Sequence, residues 1–219
     1  MWIESVNTFD LVVKGLIVGM IASAPMGPVG VLVVQRTLNK GRWFGFVTGL
    51  GAAFSDLIYA LVAGMGMSFV MDAVSNPTTM RCLQLVGALL LFLFGLYTYR
   101  SNPVEKMRPP STRRGTFLHN AFTGMALTLG NPLIVFLFMA LFARFAFVVP
   151  DHPVEQTVGY VSVFAGAVLW WYALVRGIDR VRTRFHVRGI VWHNRTIGIV
   201  VMVVSLLSFF FTMRGRLLY

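Results

Sequence analysis

Six long apolar stretches alternate with short polar segments along the chain. Each comes close to or exceeds the roughly 20 residues that an α-helix needs to cross a hydrocarbon core about 30 Å thick. The first and the fourth stretches are interrupted by proline and glycine, and the fourth is too long for one straight span. The pattern predicts an all-α membrane protein with six transmembrane helices. The stretches cover residues 11–38, 43–71, 81–99, 116–149, 157–178 and 194–213.

Composition supports a membrane protein and argues against other classes. The chain is 57% hydrophobic and 12% charged, whereas soluble domains carry roughly 25% charged residues. The net charge of +11 does not indicate nucleic-acid binding, because the basic residues lie between apolar stretches. The lone Cys82 and four scattered histidines favour neither a disulfide nor a metal site, and no cofactor is indicated. Glu4 and Asp10 occupy the place of a basic signal-peptide segment, so no signal peptide is expected.

The distribution of basic residues predicts the orientation in the membrane. Fourteen of the 19 Lys and Arg residues fall in segments 36–42, 100–114 and 176–195, which lie on one side of a six-span chain. Cytoplasmic loops are the basic ones, so we expect these three loops inside and both termini outside. The segment 176–195 either forms a plain loop or lies along the inner leaflet.

The first apolar stretch is broken by Ser23-Ala-Pro-Met-Gly-Pro-Val-Gly30. Proline lacks a backbone donor and crowds the preceding turn, so the stretch should form two half-helices that meet end to end. Unwound backbone inside a membrane is tolerated only in protein or beside a wet cavity. A helix that starts at Gly27 and Pro28 would offer free N–H groups, which favour an anion. The break, with Ser23, is therefore a candidate substrate site.

A second break lies at Leu129-Gly-Asn-Pro-Leu133 in the fourth stretch. Asn131 suits an N-cap and Pro132 suits the first helical position, so a new helix should begin there. Counting 1.5 Å per residue from the span ends places both breaks and Asp56 near the membrane midplane. The alternative is a pair of proline kinks patched by Ser23, Thr128 and Asn131.

A broken helix opens each half of the chain, and other features echo between the halves. Tyr59-Ala-Leu-Val-Ala-Gly64 resembles Tyr172-Ala-Leu-Val-Arg-Gly177. Because each half has three spans, the second half must enter from the opposite side, which gives a 3+3 inverted repeat. We expect one transmembrane transporter domain over 1–219, with repeats at about 8–100 and 115–214.

Asp56 is the only acidic residue inside an apolar stretch. A carboxylate at a helix centre costs roughly 2.5 to 3.5 kcal/mol to insert, and such residues usually face an interior cavity. Asp56 is therefore a candidate site for a substrate ammonium group or a coupling proton, with Tyr59 one turn away. The alternative is a helix–helix hydrogen bond. Asp56 lies on a stripe of small residues that should face a neighbouring helix. The other residues of this stripe are Gly45, Gly49, Ala52, Ala60 and Ala63.

These segments together resemble the lysine-exporter (LysE/RhtB) translocator family. The resemblance rests on Ser23-Ala-Pro-Met-Gly-Pro28, Arg36-Thr-Leu-Asn-Lys-Gly-Arg42, Ser55-Asp56 and Leu127-Thr-Leu-Gly-Asn-Pro132. The family's Pro-Gly-Pro carries an inserted Met26 here, and its Gly-Asp is Ser55-Asp56, which marks a divergent branch. The resemblance implies an inner-membrane exporter of amino acids or related solutes that is coupled to an ion gradient.

The sequence therefore predicts a secondary exporter, not an enzyme, that works by alternating access and is driven by protons. Its partners would be a small-molecule substrate and the lipid bilayer. Alternatives are an exporter of a metal ion or peptide-like solute, or a non-transporting membrane scaffold or lipid-binding protein. The oligomeric state stays open, a homodimer included. The residues predicted to bind substrate or ion are Ser23, Gly27, Pro28, Asp56, Tyr59, Asn131 and Pro132.

Overall fold

The computed structural model describes residues 7–71, 77–102, 115–131, 133–149, 151–181 and 188–214. Within these ranges the chain forms eight α-helices and no β-strand. The helices are α1 Thr8–Ser23, α2 Pro28–Lys40, α3 Arg42–Met71, α4 Pro77–Arg100, α5 Phe117–Leu129, α6 Leu133–Phe145, α7 Pro153–Arg180 and α8 Arg188–Met213.

Several of these helices are long and apolar enough to cross a membrane. α3, α7 and α8 qualify by themselves, and the pairs α1–α2 and α5–α6 qualify when each is taken as one broken span. The described residues therefore hold between three and five candidate spans. The apolar part of α4, Gln84–Arg100, is shorter than a full span. The prediction of an all-helical membrane protein is confirmed at this level.

Both interruptions occur where the sequence predicts them, but the half-helices do not share one axis. α1 ends at Ser23 and α2 begins at Pro28 with Gly27 as its N-cap. The two helices meet at 82°, and α5 meets α6 at 74°. Pro132, which the sequence places at the second break, lies outside the described residues. Since proline removes a hydrogen bond and crowds the previous turn, a sharp change of direction at Pro28 has a clear cause.

Glycines let two pairs of helices pack with their backbones in contact. α1 packs along α7, and α3 packs along α5. In each contact a β-carbon added to the glycine would overlap a carbonyl oxygen of the facing helix. Such close approach is a common way for membrane helices to associate. The contacts are Gly19 with Val163, Gly166 with Leu16, Gly51 with Ala121, and Gly124 with Thr48.

The helix ends next to the three basic segments, 36–42, 100–114 and 176–195, lie at the same end of the structure. Arg42 at the start of α3 lies 3.8 Å from the Asp179 carboxylate near the end of α7. Phe44 stacks on Phe117 at the start of α5, with ring centroids 4.7 Å apart. The end of α4 meets α8, where the Arg195 guanidinium lies over the ring of Tyr99. We call this the basic end.

The opposite end is filled by a packed apolar cluster. Phe142 stacks on Phe147 with ring centroids 4.5 Å apart, and Tyr160 packs beside both rings. Phe138 is fully buried against Phe142. Residues from α1, the second half of α3 and the first half of α7 also belong to this buried cluster. We call this group of four rings, Phe138, Phe142, Phe147 and Tyr160, the aromatic plug.

Candidate functional site

A cavity of about 370 Å³ lies where the two helix breaks approach α3. Small-molecule sites usually measure about 300–1,000 Å³, so the space suits a small solute. Five of the predicted site residues line it: Ser23, Gly27, Pro28, Asp56 and Asn131. The last turns of α4 and parts of α7 and α8 complete its walls.

Asp56 reaches this cavity from the middle of α3 and is 3% exposed. Ser23 at the end of α1 donates its hydroxyl to Asp56 Oδ2 at 2.7 Å. Among the described residues, Ser23 is the single hydrogen-bond donor to this carboxylate, and no Lys, Arg or His pairs with it. The small residues of the predicted stripe, such as Ala52 and Ala60, are fully buried beside it. A buried carboxylate with one neutral partner has capacity left for a cation or a proton.

The backbone of the first break is held by α8, which the sequence reasoning missed. Asn194 accepts a hydrogen bond from the Met26 N–H at 2.8 Å and donates one to the Met26 carbonyl at 3.1 Å. His193 Nε2 lies 3.2 Å from the Ala24 carbonyl oxygen. Asn194 is 1% exposed and also lines the cavity. α7 extends to Arg180 and α8 begins at Arg188, so both ends of the segment 176–195, for which the sequence offers a plain loop or a leaflet-bound stretch, are parts of these helices.

The second break is capped as the sequence predicts. Asn131 accepts from the Leu133 N–H through its side chain at 3.3 Å, and its carbonyl accepts from Ile134 at 3.2 Å. Thr128 is buried and donates back to the Gly124 carbonyl within α5. Asn131 itself remains at the cavity wall. The start of α6 therefore faces the space that also receives the start of α2.

Tyr59 takes a different place from the one predicted for it. Its hydroxyl donates to the Leu129 carbonyl at 2.7 Å, which fixes the end of α5 beside α3. Of the three consecutive aromatic residues 170–172 in α7, Trp171 lines the cavity and is 2% exposed. Trp170 instead packs on His193, and the ring of Tyr172 contacts Phe46. Tyr59 therefore supports the second break from outside the cavity.

A buried arginine joins three helices towards the basic end. Arg36 of α2 is 7% exposed and donates Nη1 to the Thr48 hydroxyl and to the Asn120 carbonyl, both at 2.9 Å. These acceptors belong to α3 and α5. A guanidinium with its fixed fork of donors is well suited to such a junction. No pattern along the sequence marks Arg36 apart from its basic neighbours, so its role becomes visible only in three dimensions.

The charge inventory of the cavity is simple. Among the lining residues that the structure describes, Asp56 is the only acidic one, and none is Lys, Arg or His. Over the described ranges, no group of three His, Cys, Asp or Glu residues is placed to hold a metal ion. The positive character of this site comes instead from the backbone N–H groups at the starts of α2 and α6. Such a site can match one cation and one anion on the same solute.

Comparison with known proteins identifies the family of the chain. A model of the LysE type translocator family matches residues 20–210. The chain belongs to the LysE type translocator family. It is also 25% identical over 206 residues to the Bacillus subtilis (strain 168) protein named "Putative amino acid efflux protein YcgF", with 91% of this chain and 94% of that protein covered. No solved structure matches the chain significantly.

The LysE type translocators form a transporter family and not a class of enzymes. In this member, the matched range contains both helix breaks, Asp56 and Asn194. The family and the cavity therefore agree on a protein that moves a small solute across a membrane.

Proposed function

We propose that this LysE type translocator exports amino acids or related zwitterionic solutes across the inner membrane by alternating access. The observation that carries the proposal is the buried Asp56 carboxylate in one cavity with the starts of two half-helices. An acid inside a membrane protein is costly and usually marks a substrate or ion pathway. The relative named as an amino acid efflux protein supports the same substrate class.

The chemistry of the cavity fits the two charged groups of an amino acid. The N–H groups in the first turn of α2, near Gly27 and Pro28, would hold the carboxylate, and the positive end of the α6 helix dipole would attract it. Asp56 would hold the ammonium group, or would carry a proton when the substrate site is empty. Competition between the two cations for one carboxylate would couple export to the proton gradient.

Helix packing supports a 3+3 inverted repeat, in which α1 to α4 correspond to α5 to α8. α1 packs on α7 just as α5 packs on α3, and α2 contacts α7 just as α6 contacts α3. α3 packs on its counterpart α7, and α4 packs on its counterpart α8. An inverted repeat relates the two sides of the membrane. If the two repeats exchanged their conformations, the cavity would open to the opposite side.

The present arrangement would be the inward-facing one. The cavity lies beside the last turns of α4, near Thr98 and Ser101, and beside Asn194 in α8. These helix parts belong to the basic end, which we assign to the cytoplasm. The aromatic plug fills the other end and would block release to the outside. Export would require the plug to separate while the basic end closes.

The orientation makes a prediction about the native cysteine. Cys82 is exposed near the start of α4, away from the basic end. We expect a membrane-impermeant maleimide added to intact cells to label Cys82. In a Cys82→Ser background, Lys40→Cys should react only after the cells are permeabilised. The opposite pattern would reverse the assigned orientation, and Cys82→Ser alone serves as the unlabelled control.

Transport itself is tested with the purified full-length chain in proteoliposomes. We expect vesicles loaded with unlabelled leucine to accumulate external labelled leucine by exchange, well above protein-free vesicles. A scaffold or lipid-binding protein would give no exchange for any amino acid, and that outcome would contradict the proposal. An exporter of metal ions would likewise ignore amino acids, so both alternatives are separated from the proposal in one assay.

A further inference from the structure

The cavity can neutralise only one positive charge on a bound solute. Among the described residues that line it, Asp56 alone is acidic, and Asp56 Oδ2 already accepts the Ser23 hydroxyl. An amino acid brings one ammonium group on its α-carbon, which this carboxylate can match. The side chains of lysine and arginine bring a second cation, for which the described lining residues hold no counterion.

The walls that α4, α5 and α6 contribute are largely apolar. Phe94 and Tyr97 come from α4, Leu127 from α5 and Ile134 from α6, and all four line the cavity. We call these four residues the apolar wall. Burying a charge against such a surface is strongly unfavourable, whereas an aliphatic or aromatic side chain gains free energy there.

A buried tryptophan whose donor has no partner in the described part of the chain forms part of the wall of the same cavity. Trp171 lines it and is 2% exposed, and its indole Nε1–H has no acceptor among the described residues. Buried indole N–H groups usually find a partner. A carboxylate is the acceptor that an amino acid would bring, and it would join the backbone donors at the helix starts in holding that group.

From this inventory, and building on the proposed function, we infer that the exported solutes are neutral amino acids with apolar side chains. In this inference Asp56 takes the α-ammonium group, Trp171 and the half-helix starts take the carboxylate, and the apolar wall takes the side chain. Lysine and arginine are rejected because their second charge would lose its water without gaining a partner.

A substrate panel in the proteoliposome exchange assay tests the inference. Leucine, isoleucine and phenylalanine should exchange at least about tenfold faster than lysine, arginine or glutamate at equal concentration. If lysine or arginine exchanges as fast as leucine, the inference is overturned while the proposed function stands. If none of the amino acids exchanges, the inference and the proposed function both fail.

Two matched variants test the apolar wall. Phe94→Ala enlarges the cavity beside the apolar wall, so the larger side chain of phenylalanine should fit better. The ratio of phenylalanine exchange to leucine exchange should therefore rise several-fold. Leu93→Ala removes a similar volume from the neighbouring residue, which is 50% exposed and does not line the cavity, and should leave that ratio unchanged. If the ratio of phenylalanine to leucine exchange is the same in both variants and in the unaltered protein, the apolar wall does not contact the substrate side chain. The ratio is an internal comparison, so it does not depend on how much protein folds.

Discussion

Replacing Asp56 by Asn should reduce amino acid export by at least about two orders of magnitude while the protein still accumulates. Truncating one partner of a buried charge pair costs roughly 3–5 kcal/mol, and each 1.4 kcal/mol is a tenfold change. The asparagine side chain keeps an oxygen that can accept the Ser23 hydroxyl, which now binds Asp56 Oδ2 at 2.7 Å. The fold should therefore persist while the negative charge is lost. Efflux of labelled leucine from cells, divided by protein abundance, measures the effect.

Asp10→Asn is the matched control for this variant. Asp10 lies in the first turn of α1, where it is exposed and pairs with Lys14. Exposed ion pairs contribute little to stability. Export by the Asp10→Asn variant should therefore stay within about twofold of export by the unaltered protein. Should Asp56→Asn export normally per molecule and lower only the abundance, Asp56 would be a packing residue and the assigned role would be lost.

Adding one methyl group at Gly51 should destabilise the protein markedly. A β-carbon there would overlap the Ala121 carbonyl oxygen, so α3 and α5 would have to move apart. Overpacking of this kind costs about 1–3 kcal/mol. For a chain of this size that corresponds to a melting temperature lower by about 2–12 °C. Thermal unfolding of the purified Gly51→Ala protein in detergent provides the measurement.

Gly66→Ala provides the control on the same helix. A β-carbon at Gly66 would meet no heavy atom within 4 Å. Alanine also has the better helix propensity, so its melting temperature should be unchanged or slightly higher. Equal melting temperatures for Gly51→Ala and Gly66→Ala would show that α3 and α5 do not pack through their backbones as described.

The sequence predicts the parts of this site that follow from local chemistry. Proline and glycine at Pro28 and Gly27 determine where a helix must stop and start, and an acid in an apolar stretch is conspicuous at Asp56. Asn131 is recognisable as a cap because it precedes a proline. Ser23, Gly27, Pro28, Asp56 and Asn131 all line one cavity.

The sequence does not predict the angles between helices or the hydrogen bonds between residues that are far apart along the chain. Proline predicts a change of direction between α1 and α2, but hydrophobic periodicity does not predict that the angle is 82°. Asn194 lies where the basic segment 176–195 overlaps the last apolar stretch, yet it binds Met26, which is 168 residues away along the chain. Arg36 looks like one more cytoplasmic basic residue, yet its guanidinium is buried between Thr48 and Asn120. Long-range hydrogen bonds of this kind leave no local signal.

Protection of a cysteine inside the cavity tests most directly whether the exported solute binds there. Thr98 is 3% exposed and lines the cavity, so Thr98→Cys in a Cys82→Ser background places a thiol at the site with little change in volume. Saturating leucine, or the amino acid that exchanges fastest, should slow its reaction with a small thiol reagent several-fold. In the unaltered protein, leucine should not change the labelling of Cys82, which does not line the cavity. If the transported amino acid leaves the labelling rate at position 98 unaltered, the solute does not occupy this cavity and the account is contradicted.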